Sequence, residues 1–416
     1  MIEVGPALPP DEAARLRRRA IFEHHKYDPQ VGDVSVIAPF ALRLSAAVAQ
    51  DLADLAEGLD REMREAELAI AASPAARRRL ALPVSLRPLL SSRLPLPRTP
   101  TLARYVRFDF HPTPRGWQIS EANSDVPGGL GEAGGLAALM LPHHPGAVHG
   151  GDPSAAVAEA IARRVAPGSA VALVHATAFT DDWQVVLSVR DALAAHGVEG
   201  TTVGPDALEW SLRGDASVRI AGARPRPIAG IVRNYPTEWL PSLLGAGGWW
   251  RQLRGGRTPV ANPPVLALFS QSKRFPLTWD RLGLSMPTWR AILPETRDPR
   301  DVDAATGEWV LKPALGRIGE DVGLPGVTES RGWRAIARSV RRRPSQWVAQ
   351  RRFEITPVET PMGRKYPCIG VFVVDGRAAG FYGRLGRTPL IDGSALEAAV
   401  LIDRPREEGE LHVERA

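Results

Sequence analysis

The residues best suited to chemistry are two carboxylates and an amide, Asp109, Glu121 and Asn123. Tyr105, Val106, Arg107, Phe108, Asp109 and Phe110 alternate polar with apolar, a strand signal. The next segment, HPTPRG, reads as a turn. Trp117, Ile119, Glu121 and Asn123 then share one face of a second strand. A hairpin folded about Arg115 sets Asp109 opposite Glu121 and Arg107 opposite Asn123, unless Pro112 and Pro114 add a bulge. Facing carboxylates destabilise a bare sheet. A divalent cation between them removes the conflict, and Asp, Glu and Asn oxygens are the donors that hard Mg²⁺ prefers. The competing reading is a solvated hairpin whose charges face water, and this stretch alone does not separate the two.

Lysine usage points to a second set. Of 52 basic residues only Lys26, Lys273, Lys312 and Lys365 are lysines, so a retained lysine is a candidate for a compact point charge. Lys312 ends the apolar run GEWVLK and leads into PALGRIGEDVG. Gly316, Gly319 and Gly323 in that loop would let backbone N–H groups approach phosphate oxygens. Arg317 there is placed to cover a transferring phosphoryl group. An ordinary hairpin remains the alternative for this segment by itself.

These residues need a scaffold, and the 416-residue chain is long enough for two or three domains. It is 44% hydrophobic and 24% charged, a globular composition. The single cysteine, Cys368, excludes an intramolecular disulfide and a cysteine-rich zinc site. Without a leader-like N-terminus or an apolar run of about twenty residues, a soluble cytoplasmic protein with no membrane partner is expected. Net charge is +6 with pI near 9.9. The arginines are scattered along the sequence without a basic-aromatic stripe, so no nucleic-acid partner is expected.

Residues 1–100 read as an N-terminal helical segment, including a long amphipathic helix over 41–72. Residues 101–150 hold the hairpin and a Gly-rich stretch, GGLGEAGGLAALM, whose helix N-terminus is a weak phosphate-cradle candidate. Residues 151–260 read as a small α/β unit without a dinucleotide fingerprint. Residues 261–405 carry both candidate lysines, with Lys273 on the helical segment VLALFSQSKRFPLTWD, and 406–416 form a solvated tail.

Taken together, RFD at 107–109, EAN at 121–123, QSK at 271–273, LKPALGR at 311–317, VAQRRF at 348–353 and CIGVFVVDGRAAGFYGR at 368–384 resemble the synthetase domain of glutathionylspermidine synthases and their ATP-grasp relatives. The pieces follow the family's order over roughly residues 100–405, with the metal carboxylates before the nucleotide lysines, as in the circularly permuted arrangement of this family. The resemblance implies an α/β (α+β) ATP-grasp fold with a small pre-ATP-grasp domain. It implies ATP and Mg²⁺ as cofactors, with Asp109, Glu121 and Asn123 holding the metal. Lys273, Lys312 and Gly316 would bind phosphates. Gln350, Arg351 and Phe353 would lie at the hinge near adenine, acting through backbone groups. Arg107 would contact a phosphate or acyl phosphate, Arg317 would be the mobile-loop arginine, and Arg384 would stabilise phosphoryl transfer. The implied activity joins a small-molecule or peptide carboxylate to an amine, releasing ADP and phosphate. A phosphotransferase and a nucleotide-binding protein with a degenerate site are the alternatives. After EAN the family carries small hydroxyl residues that help hold glutathione. This chain reads Ser124, Asp125, Val126, Pro127, Gly128 and Gly129, which favours another carboxylate.

Overall fold

A computed structural model describes residues 2–404 except 91–95, 97–98, 221, 244–247, 250–252, 254–255, 317–318 and 320. At its centre is a five-stranded antiparallel sheet. Its order is Leu396–Ala398, Arg377–Gly386, Tyr366–Val374, Tyr105–Thr113 and Gly116–Asn123. One face carries Val106, Phe108, Phe110 and Ile119 into the main core, against Leu52, Leu59 and Met63 of the long helix Ala46–Ala72. That helix begins at Ser45, whose side chain accepts from the Val48 N–H. The preceding Leu42–Leu44 is a strand, so the helix starts five residues later than periodicity predicts. The other face carries Arg107, Asp109 and His111, and these too are buried. The solvated-hairpin reading therefore fails.

Asp109 pairs with Glu121 and Arg107 with Asn123, as the folded-hairpin expectation requires. The register then slips, because Phe110 pairs with Ile119 and leaves Ser120 as an extra residue. Such a bulge re-aims side chains and carbonyls locally. The first strand also runs on through Pro112 to Thr113, leaving only Pro114 and Arg115 as the turn. Pro112 is tolerated because its inner neighbour, Tyr366–Val374, ends its pairing at Phe110.

A second unit is a parallel four-stranded sheet in the order Val260–Ala261, Gly230–Asn234, Ala170–His175, Glu199–Val203. The helix Thr180–Ala194 follows the Ala170–His175 strand, and Gly197 just beyond it takes φ 67°. A third sheet, Thr296–Arg297, Trp347–Arg351 and Trp309–Pro313, is antiparallel. The amphipathic helix Ser330–Arg342 packs Ile336 and Val340 against it. The helix Pro264–Gln271 stops before Lys273, which therefore sits just beyond the helix rather than on it. The N–H of Lys273 donates to Ala314 O at 2.8 Å, tying this lysine to the loop after Lys312. Among the described residues no helix is long and apolar enough to cross a membrane.

Candidate active site

Two walls face each other across a cleft of about 830 Å³. The central sheet supplies Asp109, His111, Ser120, Glu121, Cys368 and Arg384, while the third sheet and its loops supply Lys312, Gly316, Gln350 and Phe353. Lys273 enters from the turn after its helix. The two lysines read as phosphate ligands thus converge from distant positions in the chain. Lys365 is half-buried away from the cleft, and Lys26 is buried elsewhere among Asp28, Glu132 and Glu397, at 2.6, 3.0 and 2.7 Å.

Asp109 is 1% exposed and lies among cations. Arg107 grips it through Nε at 2.7 Å and Nη2 at 3.1 Å, Arg384 Nη2 donates at 2.6 Å, and Asn123 Nδ2 donates at 3.1 Å. Burial alone would raise the Asp109 pKa, but Arg107 and Arg384 outweigh it and hold the carboxyl well below the usual range. Gly370 faces Asp109 on the neighbouring strand, and a Cβ there would meet Arg107 Cδ at 2.7 Å. The glycine is what lets the Arg107 side chain lie flat across the sheet, over the Tyr382 ring at 5.4 Å. Arg107 and Asn123 stand behind Asp109 rather than on the cleft wall. Arg384 does face the cleft, and its buried Nε has no hydrogen-bond partner among the described residues.

Glu121 accepts from Lys273 Nζ at 3.1 Å, and the same ammonium donates to Gly316 O at 2.8 Å. Lys312 Nζ donates to Gln350 Oε1 at 2.6 Å and to Ser120 O at 3.1 Å, so the bulged residue turns its carbonyl to this lysine. Burial pushes the Lys312 pKa down to about 8, with Lys273 adding to the fall against the pull of Glu121 and Asp109. At neutral pH it remains a cation on the cleft wall.

Arg351 lines the cleft edge, but its guanidinium turns outward to Glu308 at 2.8 Å and Glu295 at 3.1 Å and stacks on Trp309. The backbone N–H groups of Arg351 and Arg352 donate to Glu295 O and Glu308 O. Arg317 lies outside the described residues. His111, read in the sequence as part of a turn, is a wall residue. Its Nδ1 lies 3.1 Å from Pro367 O, an acceptor only, so Nδ1 carries the proton and Nε2 accepts from Ser120 Oγ at 3.0 Å. Burial pushes its pKa down to about 4 and that of the Cys368 thiol up to about 12. The alternation over 105–110 continues to position 111, and that was the signal available for His111.

The glycine-rich stretch before and within the helix Leu130–Met140 serves packing rather than a phosphate. A Cβ at Gly135 would meet the His24 ring at 2.6 Å. Ser124 and Asp125 are fully buried: Ser124 Oγ donates to Ala267 O, and Asp125 pairs with Arg233 and accepts from Thr237. Ser124 and Asp125 are therefore structural here.

As to metal, no group of three His, Cys, Asp or Glu side chains gathers among the described residues. The oxygen donors present are two facing carboxylates with an adjacent amide. This fits Mg²⁺, which usually takes one or two carboxylates and completes its shell with water and substrate phosphates.

The fold and this cleft define a mixed α/β protein of the ATP-grasp-related class. The chain belongs to the glutathionylspermidine synthase family, whose pre-ATP-grasp model matches residues 20–401. No curated protein matches the sequence. Among solved structures, it is similar to a glutathione synthetase-like effector from Globodera pallida, with TM-score 0.60 and 10% identity over 94% of this chain and 96% of that one. A putative γ-glutamylcysteine synthetase from Methylobacillus flagellatus KT matches with TM-score 0.40 and 13% identity over 72% of this chain and 80% of that one. At 10% identity the likeness to the effector speaks for fold alone. Family membership points to an ATP-dependent ligase.

Proposed function

We propose that the protein is an ADP-forming carboxylate–amine ligase. The observation that carries this reading is the convergence of Lys273 and Lys312 on one cleft opposite Asp109, Glu121 and Arg384. Lys273, Lys312 and the backbone about Gly316 hold the triphosphate. The hinge Gln350–Phe353 borders the base. Because the N–H groups of Arg351 and Arg352 are already used, backbone recognition of the base falls to groups from Phe353 onward. Asp109 and Glu121 would hold Mg²⁺, which when bound neutralises phosphate charge, and Asn123, read from the resemblance as a third ligand, would steady Asp109 from behind through its Nδ2.

A carboxylate oxygen of the acid attacks the γ-phosphorus, the bond to the β,γ-bridging oxygen breaks, and ADP leaves. The amine nitrogen then attacks the acyl carbon, phosphate departs with the electron pair of the C–O bond, and the nitrogen releases a proton. The chain's own contribution is positioning and charge. The Nε of Arg384 lies in the wall where the phosphoryl group moves, and the covering role that the resemblance implies for Arg317 is part of this proposal. Arg107 fixes the Asp109 carboxylate, a positioning role one layer behind the phosphate or acyl-phosphate contact that the resemblance implied. With Ser124 and Asp125 committed to the core, the acid is one that does not use those side chains, and glutathione is disfavoured.

The test is a screen of acids with ATP, Mg²⁺ and hydroxylamine. A hydroxamate with stoichiometric ADP supports the ligase. AMP with pyrophosphate, or phosphate transfer to a hydroxyl without a hydroxamate, rejects it.

A further inference from the structure

Outside the cleft, the arginines that look scattered in sequence do not stay scattered. A hollow of about 1270 Å³ is lined by seven of them, with no Asp or Glu side chain among the described lining residues. Arg77, Arg78 and Arg79 come from the end of the short helix after the Ala46–Ala72 helix and the turn beyond it, and Arg87 from the next short helix. Arg274 follows Lys273, and Arg281 and Arg300 complete the rim. Two guanidinium groups form a buried floor, Arg77 at 1% exposure and Arg274 at 2%. Arg78, Arg87, Arg281 and Arg300 are exposed around them.

The floor is built. Arg274 donates to Arg79 O at 2.7 Å, Trp347 O at 2.8 Å and Asp298 at 2.7 Å. Arg300 grips the same Asp298 through two contacts of 2.8 Å. One carboxylate thus serves two of the seven cations. Burial, and then the neighbouring Arg78 charge, lower the Arg77 pKa, as expected where like charges gather.

We infer that this hollow is a binding site for a compact, non-aromatic ligand carrying two or more adjacent phosphate groups. Guanidinium forks match phosphate oxygens in pairs, and a concave site suits a small molecule. The described lining holds no aromatic ring. Stacking platforms are what single-stranded nucleic acids and nucleobases use, so the feature favours a phosphate chain or a phosphorylated sugar over either. The hollow shares no lining residue with the nucleotide cleft, although the two are divided only by the segment in which Lys273 faces one and Arg274 the other. The inference stands independently of the ligase reading.

The experiment is calorimetric titration of the full-length protein with inorganic tripolyphosphate, in the presence of saturating ADP to fill the cleft. The Arg78→Ala/Arg281→Ala double variant changes two exposed side chains, and circular dichroism checks its fold. We expect one site that weakens at least tenfold in the double variant, survives in Lys312→Ala, and weakens steeply with salt. Titration with a hexose bisphosphate separates the two sources, since tighter binding than tripolyphosphate identifies a phosphorylated sugar and weaker binding a free chain. Binding that is lost in Lys312→Ala and kept in the double variant would overturn the inference. So would no binding, equal binding of citrate, or tighter binding of a single-stranded RNA oligonucleotide with the same arginine dependence.

Discussion

Replacing Lys312 by Met should stabilise the ligand-free protein while removing most of its affinity for ATP. Holding this buried ammonium at a pKa of about 8, against 10.5 for an exposed lysine, costs about 3 kcal/mol at about 1.4 kcal/mol per pKa unit. The sign follows from proton linkage. Below about pH 8 both the folded and unfolded chains carry the proton, so the penalty is fully present. Between about 8 and 10.5 the unfolded chain binds more protons, so raising the pH stabilises the fold and the penalty fades. Methionine removes the charge but deprives Gln350 Oε1 and Ser120 O of their donor, at about 1 kcal/mol each. The net expectation is about 1 kcal/mol of stabilisation at pH 7, vanishing and then reversing toward pH 10. Loss of a charge-assisted contact of about 1.5–3 kcal/mol should weaken ATP binding roughly 10- to 100-fold. Urea unfolding at the two pH values, with and without ATP, measures both quantities. The reasoning is refuted if Lys312→Met is destabilised by more than about 2 kcal/mol at pH 7, or if its ATP affinity stays within twofold of the parent.

Asp109→Asn leaves Arg107 and Arg384 facing each other without their shared anion, so a stability loss of about 3–5 kcal/mol is expected, and ADP release should stop; a stable, active variant would contradict the site. Gly370→Ala places a methyl group against Arg107 Cδ and should lower kcat more than ATP affinity. Equal loss of both would show that Arg107 does not act through Asp109. Lys26→Met strands the buried Glu132 and the half-buried Asp28 and Glu397 and should cost about 3–5 kcal/mol, whereas Lys365→Met should stay within about 0.5 kcal/mol. Unfolding curves of the two variants compare them directly, and a mild Lys26 effect would refute the cluster's structural role.

Several of these groups were legible in the sequence because local rules govern them. Period-two alternation marks the two strands of the hairpin, and turn chemistry marks Asp375–Gly376, which joins two strands at φ 48° and 90°. The pairing of Asp109 with Glu121 follows from strand direction and parity. Other features escaped local rules. The Ser120 bulge depends on how the hairpin's far end leaves the sheet. His111 was hidden by the prolines that follow it, since strand pairing carried the chain through Pro112.

The sequence by itself thus determined which residues could do chemistry, the alternation that puts Arg107, Asp109 and His111 on one face, and the family to which the chain belongs. The tertiary structure alone decided what those charges meet. Asp109 is an ion-paired buried anion because Tyr366–Val374 and Arg377–Gly386 bring Gly370 and Arg384 alongside it. Lys312 is a depressed lysine because two sheets close over it. Seven arginines separated by up to 223 positions share one hollow because the turns that carry them pack together. Charge interacts through space, in a dielectric that burial sets. Sequence order fixes neither the separation nor the burial, so the electrostatics of the site came only with the fold.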